Sequence, residues 1–198
     1  MSAQPLDFET ELHREVAKYY ADPLGFVLAM FPWGKKGEPL EHHDGPDKWQ
    51  RDALMWVGEQ VKARKFDGHN PVKPLRMAVS SGHGIGKSVL AAMLVCWIMS
   101  TRPFAQGTVT ANTITQLNTK TWARVKTWAR LCLTAHWFEI NSERMYHKRY
   151  SDSWFCAKQS SKEENSEAFA GQHAENSTSF YINDEDSAIS KTIHEVEE

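Results

Sequence analysis

Between residues 7 and 20 the apolar positions fall at Phe8, Leu12, Val16 and Tyr19 or Tyr20, one stripe of an amphipathic helix. Asp22-Pro23 opens a second, short helix through Phe31, which Pro32-Trp-Gly34 stops. Residues 34–46 carry glycines, prolines, Lys35-Lys36 and a His42-His43 pair and read as a loop; an isolated His dipeptide fits solvated surface better than a metal site. Asp47 caps a third helix to Val61, with Trp49, Leu54, Val57 and Val61 near one face. A basic linker over 62–74 leads into Leu75–Ser80, apolar and of strand length. Val89–Met99 is apolar almost all round, the pattern of a buried helix. Gly107–Asn112 reads as a strand. The long segment from about Thr113 to Leu133 reads as a helix with Leu117, Val125, Trp128, Ala129 and Cys132 on one side and Lys120, Arg124, Lys126 and Arg130 on the other. Strands over 137–141 and 154–158, around a polar connection, and over 179–183 complete the pattern. Strands alternating with helices predict an α/β fold with a largely parallel sheet.

Between the apolar strand 75–80 and the apolar helix stands Ser81-Gly-His-Gly-Ile-Gly-Lys-Ser88. Strand, Gly-rich loop ending in Gly-Lys-Ser, helix is the context a phosphate-binding P-loop requires. Gly82, Gly84 and Gly86, with His83 and Ile85 between them, let the backbone turn its N–H groups toward phosphate oxygens at a helix N-terminus. Lys87 would reach the terminal phosphates and Ser88 would offer its hydroxyl to Mg²⁺. Ser81 stands where the motif usually begins with glycine, a position that tolerates a small residue.

A P-loop calls for a second apolar strand ending in an acid. Phe180-Tyr-Ile-Asn-Asp184-Glu185 supplies it about a hundred residues downstream. Asp184 would hold the metal's water shell, and Glu185 would orient and deprotonate a water for attack on the γ-phosphate. Asn183 is polar inside this strand and Asp186 adds a third acid, so a register shifted by one residue stays open. Gln50 is a candidate adenine reader through its amide, with an ordinary surface glutamine as the alternative. His173, just before the acidic strand, reads as a loop residue or as a coupling element.

Composition narrows the class. A chain of 198 residues with 41% hydrophobic and 24% charged residues is ordinary for one globular domain. The apolar helix is too short to cross a bilayer and the N-terminus lacks a signal core, which predicts a cytoplasmic protein. Three scattered cysteines, Cys96, Cys132 and Cys156, read as buried thiols. A net charge of −2 gives no global field for nucleic acid. DNA contact would then fall to local patches such as the basic helix face and Lys62-Ala-Arg-Lys65; plain solvated surface is the competing reading.

Read in order, the segments resemble the ATPase domain of the large terminase subunit of tailed bacteriophages, the genome-packaging motor. The resemblance runs through Asp22-Pro-Leu-Gly-Phe26, Phe31-Pro-Trp-Gly34, Trp49-Gln-Arg-Asp-Ala-Leu54, Ser81–Ser88, Thr110-Ala-Asn-Thr-Ile-Thr-Gln-Leu117, Phe169-Ala-Gly-Gln-His-Ala174 and the strand ending Asp184-Glu185-Asp186. It implies a P-loop NTPase three-layer sandwich, incomplete at its C-terminal strands, with residues 1–70 as a helical lead-in carrying the adenine-sensing Gln50 and residues 71–198 as the ATPase core. It implies ATP and Mg²⁺ as cofactors, Lys87 and Ser88 on phosphate and metal, Asp184 on the metal and Glu185 as catalytic carboxylate. Double-stranded DNA, a small terminase subunit, a portal protein and a homo-oligomeric ring are the implied partners. Family members continue into a coupling motif and a nuclease domain, whereas this chain stops at Glu198, so it resembles an N-terminal portion and DNA cleavage does not carry over. A helicase-like P-loop ATPase and a non-enzymatic prophage remnant are the alternatives. In the family's core the P-loop strand lies between two strands that follow the acidic one. Strand 75–80 is therefore expected to lack its neighbours, or to pair with 179–183.

Overall fold

The computed structural model describes residues 7–65, 72–79, 86–159 and 177–184. Three helices come first: α1 (Phe8–Lys18), α2 (Pro23–Met30) and α3 (Lys48–Arg64). Asp7 and Asp22 cap the first two by accepting the Thr10 and Gly25 N–H groups, at 2.8 and 2.9 Å. Of the stripe expected on α1, Leu12 and Val16 are buried, while Phe8 lies exposed. Leu54, Val57 and Val61 of α3 are buried as their spacing predicts.

The central element is α4 (Lys87–Thr101), and its all-round apolar sequence follows from its position. It packs on α1, α2, the helix after β1, and the sheet, burying Leu90, Met93, Val95, Cys96, Trp97 and Met99. Each such fully buried side chain contributes on the order of 1.5–3 kcal/mol. The lead-in helices are latched to it by polar contacts as well. Trp97 Nε1 donates to the Tyr19 carbonyl and Arg102 Nη2 to the Tyr20 carbonyl, both at 2.8 Å. The Arg102 guanidinium lies between the Tyr20 and Trp97 rings, 4.3 and 4.1 Å from their centroids. Burial lowers its pKa to about 10, so it stays a cation at neutral pH.

After α4 come β1 (Gln106–Ala111), a helical run of α5 (Ile114–Gln116), a π turn (Leu117–Thr121) and α6 (Trp122–Leu131), then β2 (Phe138–Ile140), β3 (Arg144–His147), β4 (Phe155–Lys158) and β5 (Ser179–Asp184). The sheet runs β2-β3-β4-β1-β5. β1 pairs parallel with β4 and β5, whereas β2–β3 and β3–β4 are antiparallel. The fold is therefore mixed α/β with a parallel core, not the largely parallel sheet expected. The difference is β3, which forms in the stretch read as a polar connection; only Met145 of its four residues is buried.

The expected strand 75–80 is the second correction. Among the described residues, 72–79 belong to no strand, and β5 pairs with β1 alone. Of the two outcomes expected for it, residues 75–79 agree with the first: among the described residues they have no strand neighbour, and no ladder joins them to 179–183. The segment keeps a strand's alternation nonetheless: Leu75, Met77 and Val79 pack against the core while Arg76 and Ala78 face outward. Side-chain docking holds it without a ladder. All three cysteines are buried free thiols. Among the described residues no helix is long and apolar enough to cross a membrane.

Candidate functional site

Gly86 precedes α4 with φ +89°, left-handed backbone that favours glycine. Its carbonyl accepts the Val89 and Leu90 N–H groups, both at 3.1 Å, closing the first turn. Lys87 and Ser88 are thus the first two helical residues, half-buried, at the positive end of a fifteen-residue helix.

Gln50 meets this turn from α3. It is 3% exposed and both ends of its amide are engaged. Oε1 accepts the Asp47 N–H at 3.0 Å, half of a capping box, and Nε2 donates to the Gly86 carbonyl at 3.0 Å. A methyl group at Gly86 would come within 2.8 Å of that Nε2. Gln50 is therefore neither a surface residue nor an open amide in this state: it joins the start of α3 to the start of α4.

Asp184 ends β5, opposite Ala111 of β1, at the carboxyl edge of the parallel strands where open α/β sheets place ligands. Its Oδ2 accepts two short hydrogen bonds, from Ser88 Oγ and from Thr121 Oγ1, each 2.6 Å. The first joins residues 96 apart in sequence. Lys87, Ser88, Gly86 and Gln50 are thus brought together, and Ser88 with Asp184. Ser81, Gly82, His83, Gly84 and Ile85 lie outside the described residues, as do Glu185, Asp186 and His173.

The donors at this point suit a hard cation. A hydroxyl and a carboxylate meet with no nitrogen or sulfur ligand, and among the described residues no cluster of three His, Cys, Asp or Glu forms a protein cage. Mg²⁺ commonly takes one or two protein oxygens, keeps several waters and binds substrate phosphates, which these residues fit.

Beside Gln50's helix a cavity of about 300 Å³ is lined by Ala53 and Trp56 of α3 and by Arg76, Met77, Ala78 and Val79. Lys120, Arg124 and Arg130 project from the helical run, exposed as their wheel positions predict, with Lys126 half-buried. Sequence reasoning missed Thr121. Its only signal was an inward position four residues after Leu117, which fits core packing equally well.

No family model, curated protein or solved structure matches this chain.

Proposed function

We propose that the chain is an ATP-binding and ATP-hydrolysing domain of the P-loop type, the motor module of a phage terminase large subunit that drives double-stranded DNA. The observation that carries the reading is the Ser88–Asp184 hydrogen bond. Two residues singled out for separate reasons, one by Gly-Lys-Ser and one as the acidic end of an apolar strand, share an oxygen-lined point at a helix N-terminus.

In this reading each group has a distinct task. The first turn of α4 and the Lys87 ammonium bind the terminal phosphates by charge-assisted contacts. Ser88 and Asp184 hold Mg²⁺, which when bound neutralises charge on the phosphates. Glu185, next in sequence, orients a water and accepts its proton. Gln50 ties the phosphate-binding turn to α3, the helix that flanks the 300 Å³ cavity. The exposed face of Lys120, Arg124 and Arg130 supplies phosphate contacts for a duplex. By the same resemblance, a small terminase subunit, a portal protein and further copies in a ring are the partners.

Lys87→Ala tests the reading. Titrated with a fluorescent ATP analogue and Mg²⁺, the parent should bind and the variant should bind at least about 10–100-fold more weakly, the loss expected for a charge-assisted contact. A parent without measurable affinity, or a variant that binds as tightly, refutes it.

A further inference from the structure

We infer that Thr121 is a positioning residue for Asp184, and that the π turn at 117–121 presents it; the inference rests on the nucleotide reading above. The evidence is the use to which Thr121 puts its hydroxyl. Helical threonines commonly bond back to the carbonyl four residues earlier. In this protein Thr101 does so to Trp97, Thr119 to Thr115 and Thr127 to Ala123, at 2.7, 2.7 and 3.0 Å. Thr121 instead donates across the structure to Asp184 Oδ2 at 2.6 Å.

The backbone explains the exception. The carbonyl four residues before Thr121 is that of Leu117, and it accepts the Trp122 N–H from five residues on, the bond that defines a π turn. A wider turn spreads successive residues over a smaller angle, so two neighbours can face inward together. Thr121 and Trp122 do so, each 1% exposed. Thr121 reaches Asp184 while the Trp122 indole donates to the Asn141 carbonyl at 3.0 Å. A second tie fixes the turn: Asn118 Oδ1 accepts from Lys158 Nζ of β4, whose side chain is 8% exposed. The π turn is therefore braced against both strands that flank β1. π turns inside helices occur frequently at functional sites.

Ser88 and Thr121 hold the same carboxylate oxygen but differ in what else they do. In the proposed site the Ser88 hydroxyl also serves the cation, whereas Thr121 is committed to Asp184. It would fix the carboxylate's orientation whether or not Ser88 turns away. Partners that orient metal-holding carboxylates typically change metal affinity 10–100-fold when removed.

The test compares parent, Thr121→Val and Thr121→Ser for binding of a fluorescent ATP analogue, with Mg²⁺ titrated from an EDTA-buffered start. Folding is followed in parallel by circular dichroism. Thr121→Val should require about 10-fold more Mg²⁺ or beyond to reach half-maximal binding. Its metal-free binding should match the parent's, and Thr121→Ser should restore the parent's Mg²⁺ dependence. An unchanged Mg²⁺ midpoint in Thr121→Val overturns the inference and leaves the nucleotide reading standing. So does an equal loss of metal-free and Mg²⁺-dependent binding, the mark of mere structural damage. A parent that binds no nucleotide removes both. Should Thr121→Val not fold, Thr121→Ala carries the same comparison with the same outcomes.

Discussion

Gln50 separates two accounts of one residue, because an adenine reader and a structural latch respond differently when no nucleotide is present. Gln50→Leu keeps the side chain's approximate volume and removes both hydrogen bonds. The Asp47 N–H sits at an exposed N-cap and regains water. The half-buried Gly86 carbonyl loses a 3.0 Å donor, at a net cost of about 1–2 kcal/mol. For a domain of this size that lowers Tm by roughly 2–8 °C. Gln50→Glu should cost more, about 3 kcal/mol at neutral pH, because a nearly buried carboxylate oxygen then faces the Gly86 carbonyl. The two variants also differ in pH response. Desolvation and the facing carbonyl raise the introduced carboxyl's folded pKa above its unfolded value. A raised acid disfavours the folded state above that pKa, and the penalty disappears as pH falls through it, when the carboxyl O–H can donate to Gly86. The deficit of Gln50→Glu against the parent should therefore shrink between pH 8 and pH 5, while that of Gln50→Leu stays constant. Thermal melts of nucleotide-free protein across this range measure both. If Gln50→Leu melts within about 1 °C of the parent, the latch contributes nothing and the reasoning fails.

Two further predictions concern the frame around the site. Gly107→Ala would place a methyl group inside the Phe180 ring, its partner across β1 and β5, and should cost about 2 kcal/mol or more in urea unfolding; Phe180→Leu should recover part of that loss, and strictly additive effects of the pair would count against the clash. Glu9 accepts from Trp137 Nε1 at 3.0 Å and pairs with His136 at 2.7 Å, and these contacts, the Trp137 bond foremost, lower its pKa. Its stabilising effect is then complete above the ordinary glutamate value of 4.5 and lost as pH falls through the depressed one, so the parent's advantage over Glu9→Gln in thermal melts should vanish at the acid end, and a pH-independent difference would contradict it.

What was legible in the sequence was local. The buried stripe of α6 (Val125, Trp128 and Ala129) and the apolar run of α4 follow from helical periodicity, which a short window carries. Strand β3 did not, because four residues that include Arg144, Tyr146 and His147 offer too short an alternation to distinguish from a loop. Segment 75–79 shows the converse. Its alternation is real in the structure, yet a strand needs a neighbour, and a ladder is a property of distant residues that no local pattern specifies. The π turn has no signature either. It lies where the helical run is tied to two strands, to Lys158 through Asn118 and to Asp184 through Thr121.

The polar Asn183, which left the register of the acidic strand open, has a geometric reading. Side chains alternate along β5, so Phe180, Ile182 and Asp184 share one face and Tyr181 and Asn183 the other. Asp184 bonds to Ser88 at the start of α4, so the first set faces that helix. A polar residue at 183 therefore does not interrupt the apolar face; it belongs to the opposite one, beside Thr110 of β1. The parallel register, with Ala111 across from Asp184 and Gly107 across from Phe180, brings Asp184 to the level of the Gly86–Ser88 turn. Shifting β5 by one residue would present Asn183 or Glu185 to Ser88 and turn Phe180 away from its gap over Gly107. Gly107 thus helps select the carboxylate that meets Ser88: it is the position in β1 where only a missing side chain admits the Phe180 ring, four residues from Asp184.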